Sequence, residues 1–323
     1  MVAVIRLHRR GGPEVLSFED IELGRPGPGE VRFRQRACGL NFIDTYIRTG
    51  LYPSPLPCIL GNEGAGEVLE VGPGVIEFKE GDRVTAIHRL GGYAEERIAP
   101  AERLVKLPDF VSDEMAAALM FKGLTARYLL RQTFRVAPGQ TILFHAAAGG
   151  VGLVACQWAK LRGATVIGTV GSTEKAELAR AHGCDHAILY REEDFVERVS
   201  DLTQGALCDV VYDGVGQSVF PASLDCLKRR GAFVSFGNAS GKIAAIDPMM
   251  LHDKGSLWAT KTNLYDHMPT REALLEAVAD LFEAVRQGVK PLIGQRYALK
   301  DAAAAHRALE SRATIGSSLL VPG

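Results

Sequence analysis

The chain has no uninterrupted apolar stretch approaching the roughly 20 residues that a membrane-spanning helix needs. It has no Cys-x-x-C pair either. Its six cysteines, Cys38, Cys58, Cys156, Cys184, Cys208 and Cys226, are scattered through apolar surroundings. That is a pattern of buried reduced thiols in the cytoplasm, not of disulfides or a structural metal site. An excess of charge is also missing, since 37 Lys and Arg face 38 Asp and Glu. Without a basic stripe, the chain offers no electrostatic footprint for nucleic acid or an anionic membrane surface. Internal repeats, low-complexity tracts and charge blocks are absent. The opening "MVAVIRLHRR" lacks a cleavable apolar region and reads as a first strand.

What remains is an ordinary globular composition, 47% hydrophobic and 23% charged. At 323 residues the chain suits two domains of about 100 to 200 residues each. Residues 1–122 carry short β-branched runs broken by Gly and Pro, among them "VAVIRLH", "EVRFRQRACGLN" and "EGAGEVLEVGPGV". Turn signals at that spacing predict a mostly antiparallel β domain. "SDEMAAALMFKGLTARYLL" then reads as a helix, with Ser112 as N-cap and Glu114 in the first turn. Through 123–262 the grammar becomes strand, helix, strand, helix: "TILFHA", "GVGLVACQWAKLRG", "ATVIGTV", "TEKAELARAHG" and onward. Repeated βα units require a doubly wound parallel sheet with helices on both faces, so the fold class is α/β. Residues 263–323 hold two helical stretches, "TREALLEAVADLFEAVRQG" and "LKDAAAAHRALES", and a last strand, "SSLLV". They are expected to return to the β-rich domain, making the parallel-sheet domain an insertion between its two parts.

"HAAAGGVG" closes one strand and opens a helix. Against G-x-G-x-x-G it places Ala147, Gly149 and Gly152 at the small-residue positions, with Gly150 and Val151 between the last two. Small residues there permit a tight turn and close approach to a pyrophosphate, and the helix N-terminal amides face the phosphate charge. About 20 residues on, NAD binders place a carboxylate against the ribose. Here "GTVGSTEK" puts Gly171 and Ser172 in that region and Lys175 one turn into the next helix. A hydroxyl and an ammonium attract a 2'-phosphate, so NADPH is favoured over NADH. A solvated Lys175 without a ligand is the bland alternative.

Together, "GGPEVL", "NFIDTYIRTGLYP", "GDRV", "FHAAAGGVGLVACQWAK", "VSFGN" and "ESRATIGSSLL" resemble bacterial NADPH-dependent quinone oxidoreductases over essentially the whole chain. These are the zeta-crystallin-like, zinc-free branch of the medium-chain dehydrogenase/reductase superfamily. The resemblance implies a split GroES-like catalytic domain around a Rossmann domain, a homodimer, and NADPH in the cleft between domains. Zinc alcohol dehydrogenases of that superfamily carry a ligand cysteine and a ligand histidine where this sequence has Asn41 and Asn62. Amides are poor zinc partners. The cysteine lobe that holds a structural zinc has no counterpart either, for no cysteine lies between His88 and Pro108. Without a Lewis acid, a quinone or other conjugated carbonyl is the fitting acceptor, because its developing charge spreads through conjugation.

The same resemblance places Asn41 and Tyr46 at the nicotinamide end of the cofactor. Asn41 would fix the ring or its ribose, and Tyr46 would offer a phenol and an aromatic face to the acceptor, unless it only packs the loop. Thr125 matches a carboxamide contact and Tyr190 a residue along the adenosine phosphate. Phe236, Gly237 and Asn238 lie at a sheet edge where ligands bind, and Arg312 matches a cofactor-phosphate contact. By the same resemblance Lys261 stands at the acceptor wall, where bacterial members tend to carry Arg, and joins Asn41 and Tyr46 as a candidate catalytic residue; it keeps the charge without the planar fork, which bears on acceptor preference. His145, Cys38, Asp44, Glu63 and Arg48 read as packing or bracing residues. An enone or alkenal reductase is the nearest alternative function. A nucleotide-competed RNA binder is the alternative from another class, and the balanced charge weighs against it.

Overall fold

Along Glu30–Leu40, apolar and polar residues alternate so that Val31 and Phe33 are buried while Arg34 and Arg36 stay outside. In the computed structural model, which describes residues 1–323, this strand is central to a seven-stranded sheet. The order is Ile293–Ala298, Ser317–Val321, Glu30–Leu40, Glu63–Val71, Arg83–Ile87 and Leu104–Lys106, with Glu96–Pro100 also paired to Glu30–Leu40. Every pairing is antiparallel except that of Ile293–Ala298 with Ser317–Val321. A smaller antiparallel sheet joins Leu16–Ile21, Val2–Leu7 and Cys58–Ile59. Ile5, Leu7, Leu40, Ile47 and Tyr93 form one buried cluster with Leu299, Ala302, Ala305 and Leu320 of the C-terminal segment. Each large apolar side chain buried there contributes about 1.5–3 kcal/mol, which ties the tail to this unit. The unit comprises Met1–Lys122 and Pro291–Gly323.

The second unit, Gly123–Lys290, is built on six parallel strands. They run His186–Leu189, Thr165–Val170, Thr141–His145, Cys208–Asp213, Leu227–Ser235 and Trp258–Lys261. Cys208–Asp213 is buried at every position, as a strand covered on both faces must be. The strand order reverses between Thr141–His145 and Cys208–Asp213, and ligands of open α/β sheets bind outside the strand ends at such a point.

The expected return to the first unit at residue 263 is corrected by the structure. Helix Arg271–Arg286 belongs to the second unit and buries Leu274, Ala277, Val278 and Leu281 there. Arg127 holds it through Glu276 at 2.9 Å and Asp280 at 2.8 Å. Its period shows which face is apolar but not which body covers that face. The first boundary, after Lys122, falls inside helix Asp113–Tyr128, whose N-terminus Ser112 caps by accepting from the Met115 N–H at 3.1 Å. No helix is long and apolar enough to cross a membrane.

Candidate active site

Strand Thr141–His145 ends at Ala146, whose φ of 57° turns the chain through the left-handed region. Gly149 then caps helix Gly150–Leu161. A Cβ on Gly152 would stand 2.5 Å from the Ala146 carbonyl oxygen and 2.6 Å from that of Ala147. The helix therefore rides on the turn at a distance only glycine permits. Ala147 is buried and anchored by its N–H to Thr169 O at 3.1 Å, so it shapes the turn from within. The amides of the helix's first turn, Gly150 and Val151 among them, have no intrahelical acceptor and sit at the positive end of its dipole. This cradle fits a dinucleotide pyrophosphate. His145 lies beneath it with Thr169 and Ser223 hydroxyls 2.9 Å from its two ring nitrogens, and burial pushes its pKa down to about 3. It is a neutral core residue.

The next strand, Thr165–Val170, leads to Gly171 and to Ser172, the cap of helix Thr173–Ala181. Ser172 Oγ accepts from the Lys175 N–H at 3.3 Å. A Cβ on Gly171 would meet the Tyr190 hydroxyl at 3.0 Å and Arg191 Nε at 3.5 Å, so both side chains close over this glycine. Desolvation holds the half-buried Lys175 ammonium below the ordinary lysine value; Tyr190 opposes that shift and Arg191 adds to it. Glu174 is exposed. Two cations, a hydroxyl and a phenol thus surround the position, a donor set suited to a phosphate dianion. Arg191 escaped the sequence reading because it belongs to no motif.

At the far side of the switch point, Phe236 follows strand Leu227–Ser235 and tilts against Phe144 with ring centroids 5.6 Å apart. Gly237 lies so close to Gly214 that a Cβ would stand 2.3 Å from its carbonyl oxygen. Lys261, at the end of edge strand Trp258–Lys261, donates to Gly237 O at 2.9 Å and to Ser235 Oγ and Asn238 Oδ1 at 3.2 Å. An ammonium has three protons, so all three are engaged by this one turn. Burial pushes the Lys261 pKa down to about 8, opposed by the charge of Asp213. Asp213 itself accepts from the Val215 and Gly216 amides through Oδ1, while its buried Oδ2 has no partner.

In the first unit, Asn41 opens helix Phe42–Thr49 and is gripped by two buried carboxylates. Its backbone N–H donates to Asp44 Oδ2 at 2.9 Å, and its side-chain Nδ2 to Glu63 Oε1 at 2.8 Å. Asn62 Nδ2 donates to Asp44 Oδ1 at 2.7 Å. Glu63 therefore braces Asn41, and Asp44 braces Asn62. Both amide nitrogens donate to carboxylates, and nowhere do three His, Cys, Asp or Glu side chains converge in a group that could hold a metal ion. Cys38 is buried and its thiol is pushed up to about 12 by desolvation, which suits packing and not nucleophilic attack.

Tyr46 is 7% exposed and meets Tyr52 edge-on at 5.3 Å and Phe42 at 6.2 Å. Tyr52 closes the same loop through its N–H to Tyr46 O at 3.0 Å, and the aromatic spacing in "TYIRTGLY" was the signal for it. The sequence-predicted residues therefore gather into two groups. Ala147, Gly149, Gly150, Val151, Gly152, Gly171, Ser172, Lys175, Tyr190, Phe236, Gly237, Asn238 and Lys261 stand at the strand ends of the parallel sheet; Asn41 and Tyr46 stand on the first unit's loop. Thr125 is buried on helix Asp113–Tyr128, and Arg312 follows helix Ala302–Glu310 at a left-handed φ of 60°.

Family models match two parts of the chain: an alcohol dehydrogenase GroES-like domain over residues 27–109 and a zinc-binding dehydrogenase over residues 150–280. A quinone oxidoreductase of Pseudomonas aeruginosa is 52% identical, with 100% of both chains covered. A 2-haloacrylate reductase of a Burkholderia species is 45% identical, covering 100% of this chain and 99% of that one. Among solved structures, Escherichia coli quinone oxidoreductase complexed with NADPH superimposes with a TM-score of 0.97 at 49% identity, over 99% of this chain and 100% of the other.

Proposed function

The chain belongs to the quinone oxidoreductase family of the medium-chain dehydrogenases/reductases, and from that membership we propose that it is an NADPH-dependent quinone oxidoreductase that works without a metal. The observation that carries the cofactor choice is the enclosure of Gly171 by Tyr190 and Arg191 beside Ser172 and Lys175. An inward carboxylate there would repel a 2'-phosphate, and none is present.

Bound NADPH would supply a hydride which, with one proton, converts a quinone to a hydroquinone and leaves NADP+. The chain's own part is to hold and orient. The amides of Gly150 and Val151 take the pyrophosphate charge, Lys175 and Arg191 the 2'-phosphate, and the turn Phe236–Asn238, braced by Lys261, the nicotinamide half. Thr125 is assigned to the carboxamide, Arg312 to a cofactor phosphate, and Asn41, its amide fixed by Glu63, to the nicotinamide ribose. Tyr46 and Tyr52 offer aromatic faces to a flat acceptor.

Steady-state rates with 1,4-benzoquinone, 9,10-phenanthrenequinone and a short enone test this reading. Quinone reduction with NADPH preferred over NADH is expected; turnover of the enone alone would overturn it. That second outcome is the rival reading favoured by the likeness to a 2-haloacrylate reductase.

The unpaired side of edge strand Trp258–Lys261, with Trp258 68% exposed, supports a homodimer formed by strand pairing. Sedimentation of a monomer at micromolar concentration would remove it. Six free, buried thiols support a reducing compartment such as the cytoplasm.

A further inference from the structure

A chain of hydrogen bonds runs from the Asn41 loop to the C-terminal helix through groups the reaction itself does not use. Arg48, only 1% exposed, donates through Nη1 to His306 Nδ1 at 3.0 Å and through Nη2 to Glu310 at 2.5 Å. His306 Nε2 lies 3.2 Å from the Tyr93 hydroxyl, and that hydroxyl lies 2.8 Å from Asp44 Oδ2. Arg48, His306, Tyr93 and Asp44 are all buried. Asp44 also receives the Asn41 N–H and the Asn62 amide.

Only one arrangement of protons satisfies this chain. A guanidinium can donate but not accept, so His306 Nδ1 carries no proton. Burial, assisted by Arg48, pushes the imidazole pKa down to about 3, so the ring is neutral and its single proton sits on Nε2, directed at Tyr93. The phenol has then accepted once and has its own proton free for Asp44. The other tautomer would set two N–H groups against each other at Arg48, a costly conflict for buried polar groups.

We propose that His306 is a positioning residue for the Asn41 loop: held as the Nε2–H tautomer by Arg48, it locks Tyr93 onto Asp44 and so fixes the start of helix Phe42–Thr49. Its effect on turnover rests on the reading of that loop as part of the reaction site. The tautomer does not.

Two measurements on the full chain keep these apart. Nitrogen-15 NMR of the histidine side chains is expected to show His306 neutral and protonated on Nε2 from about pH 5 to about pH 9, across the range where an ordinary histidine titrates. An Nδ1–H ring, or titration within that range, overturns the proposal. Kinetics of His306→Gln and His306→Leu supply the second measurement. Glutamine offers a carbonyl to Arg48 and an amide proton to Tyr93, whereas leucine offers neither. His306→Leu is expected to lower quinone kcat by about ten-fold, as small misplacements of positioned groups do, with NADPH affinity weakened by no more than about two- to three-fold because Asn41 supplies one cofactor contact among many; His306→Gln should restore most of the loss. Equal impairment of the two variants, or none in either, overturns the proposal. Should His306→Leu fail to fold, Tyr93→Phe cuts the same chain by one hydroxyl and must reproduce the kcat loss, and full activity in it would overturn the positioning role. A wild-type protein without quinone activity but with the expected tautomer would sink the functional reading alone.

Discussion

The side-chain amide of Asn41 donates to Glu63 Oε1 across 2.8 Å, and the same carboxylate collects Lys122 Nζ at 3.1 Å and the Phe121 N–H at 2.7 Å. Glu63 is fully buried and the Lys122 side chain is 7% exposed. Glu63→Gln would keep the shape but leave a buried ammonium without its counter-charge, a defect that costs about 3–5 kcal/mol where one partner of a buried pair is removed. Urea unfolding is expected to show a loss of that order. A loss below about 1 kcal/mol would mean that Lys122 finds water or another partner.

Asp44 gives a pH-dependent signature. Desolvation lifts its carboxyl from 3.8 to about 6, with Glu63 adding a smaller push; the Asn41 N–H, Tyr93 and Asn62 pull it back. Because the folded value lies above the unfolded one, the folded state takes up this proton first as pH falls. Its contribution to stability is therefore fully present below about pH 4 and is lost as pH rises through about 6, a swing of ~3 kcal/mol. Comparing wild type with Asp44→Asn isolates that titration. Between about pH 4 and pH 7 the wild type should lose ~3 kcal/mol relative to the variant; parallel stability curves would show that Asp44 does not titrate there.

How far the sequence could be read depended on whether each constraint was local. The glycine turn was legible because the limit on Gly152 is imposed by carbonyls five and six residues away at most, within the motif itself. The parallel sheet was legible because βα repetition admits few alternatives. The Asp44–Tyr93–His306 chain was not, since its bonds join residues 49 and 213 positions apart. No pattern predicts which buried groups meet over such distances. Helix Arg271–Arg286 was assigned to the wrong unit for the related reason that an apolar stripe does not name its partner. Lys261 was read as a charge at the acceptor wall, whereas its three protons all point into the turn behind it.

Lys175 and Arg191 can be tested through cofactor choice. Each supplies charge near Gly171, and a charge-assisted hydrogen bond contributes about 1.5–3 kcal/mol. Lys175→Ala is expected to weaken NADPH binding by about ten- to a hundred-fold while leaving NADH nearly unchanged, and Arg191→Ala should act in the same direction. Fluorescence titration with both cofactors measures this directly. A wild type that binds the two equally, or a Lys175→Ala variant that loses both alike, would remove the 2'-phosphate assignment.

Lys261 offers a choice between two roles that kinetics can separate. If it contacted the acceptor, Lys261→Met would raise the quinone KM and leave cofactor affinity alone. The geometry argues for the other outcome, because Ser235, Gly237 and Asn238 already occupy all three protons. Methionine would free that turn and leave the buried Asp213 without its nearest opposing charge. NADPH affinity should then fall by about ten-fold, the equivalent of one lost charged hydrogen bond, with quinone KM little changed at saturating cofactor. Lys261→Arg should be intermediate: a planar fork keeps the charge but cannot point three protons in three directions. A Met variant with intact NADPH affinity and a raised quinone KM would return Lys261 to the acceptor wall.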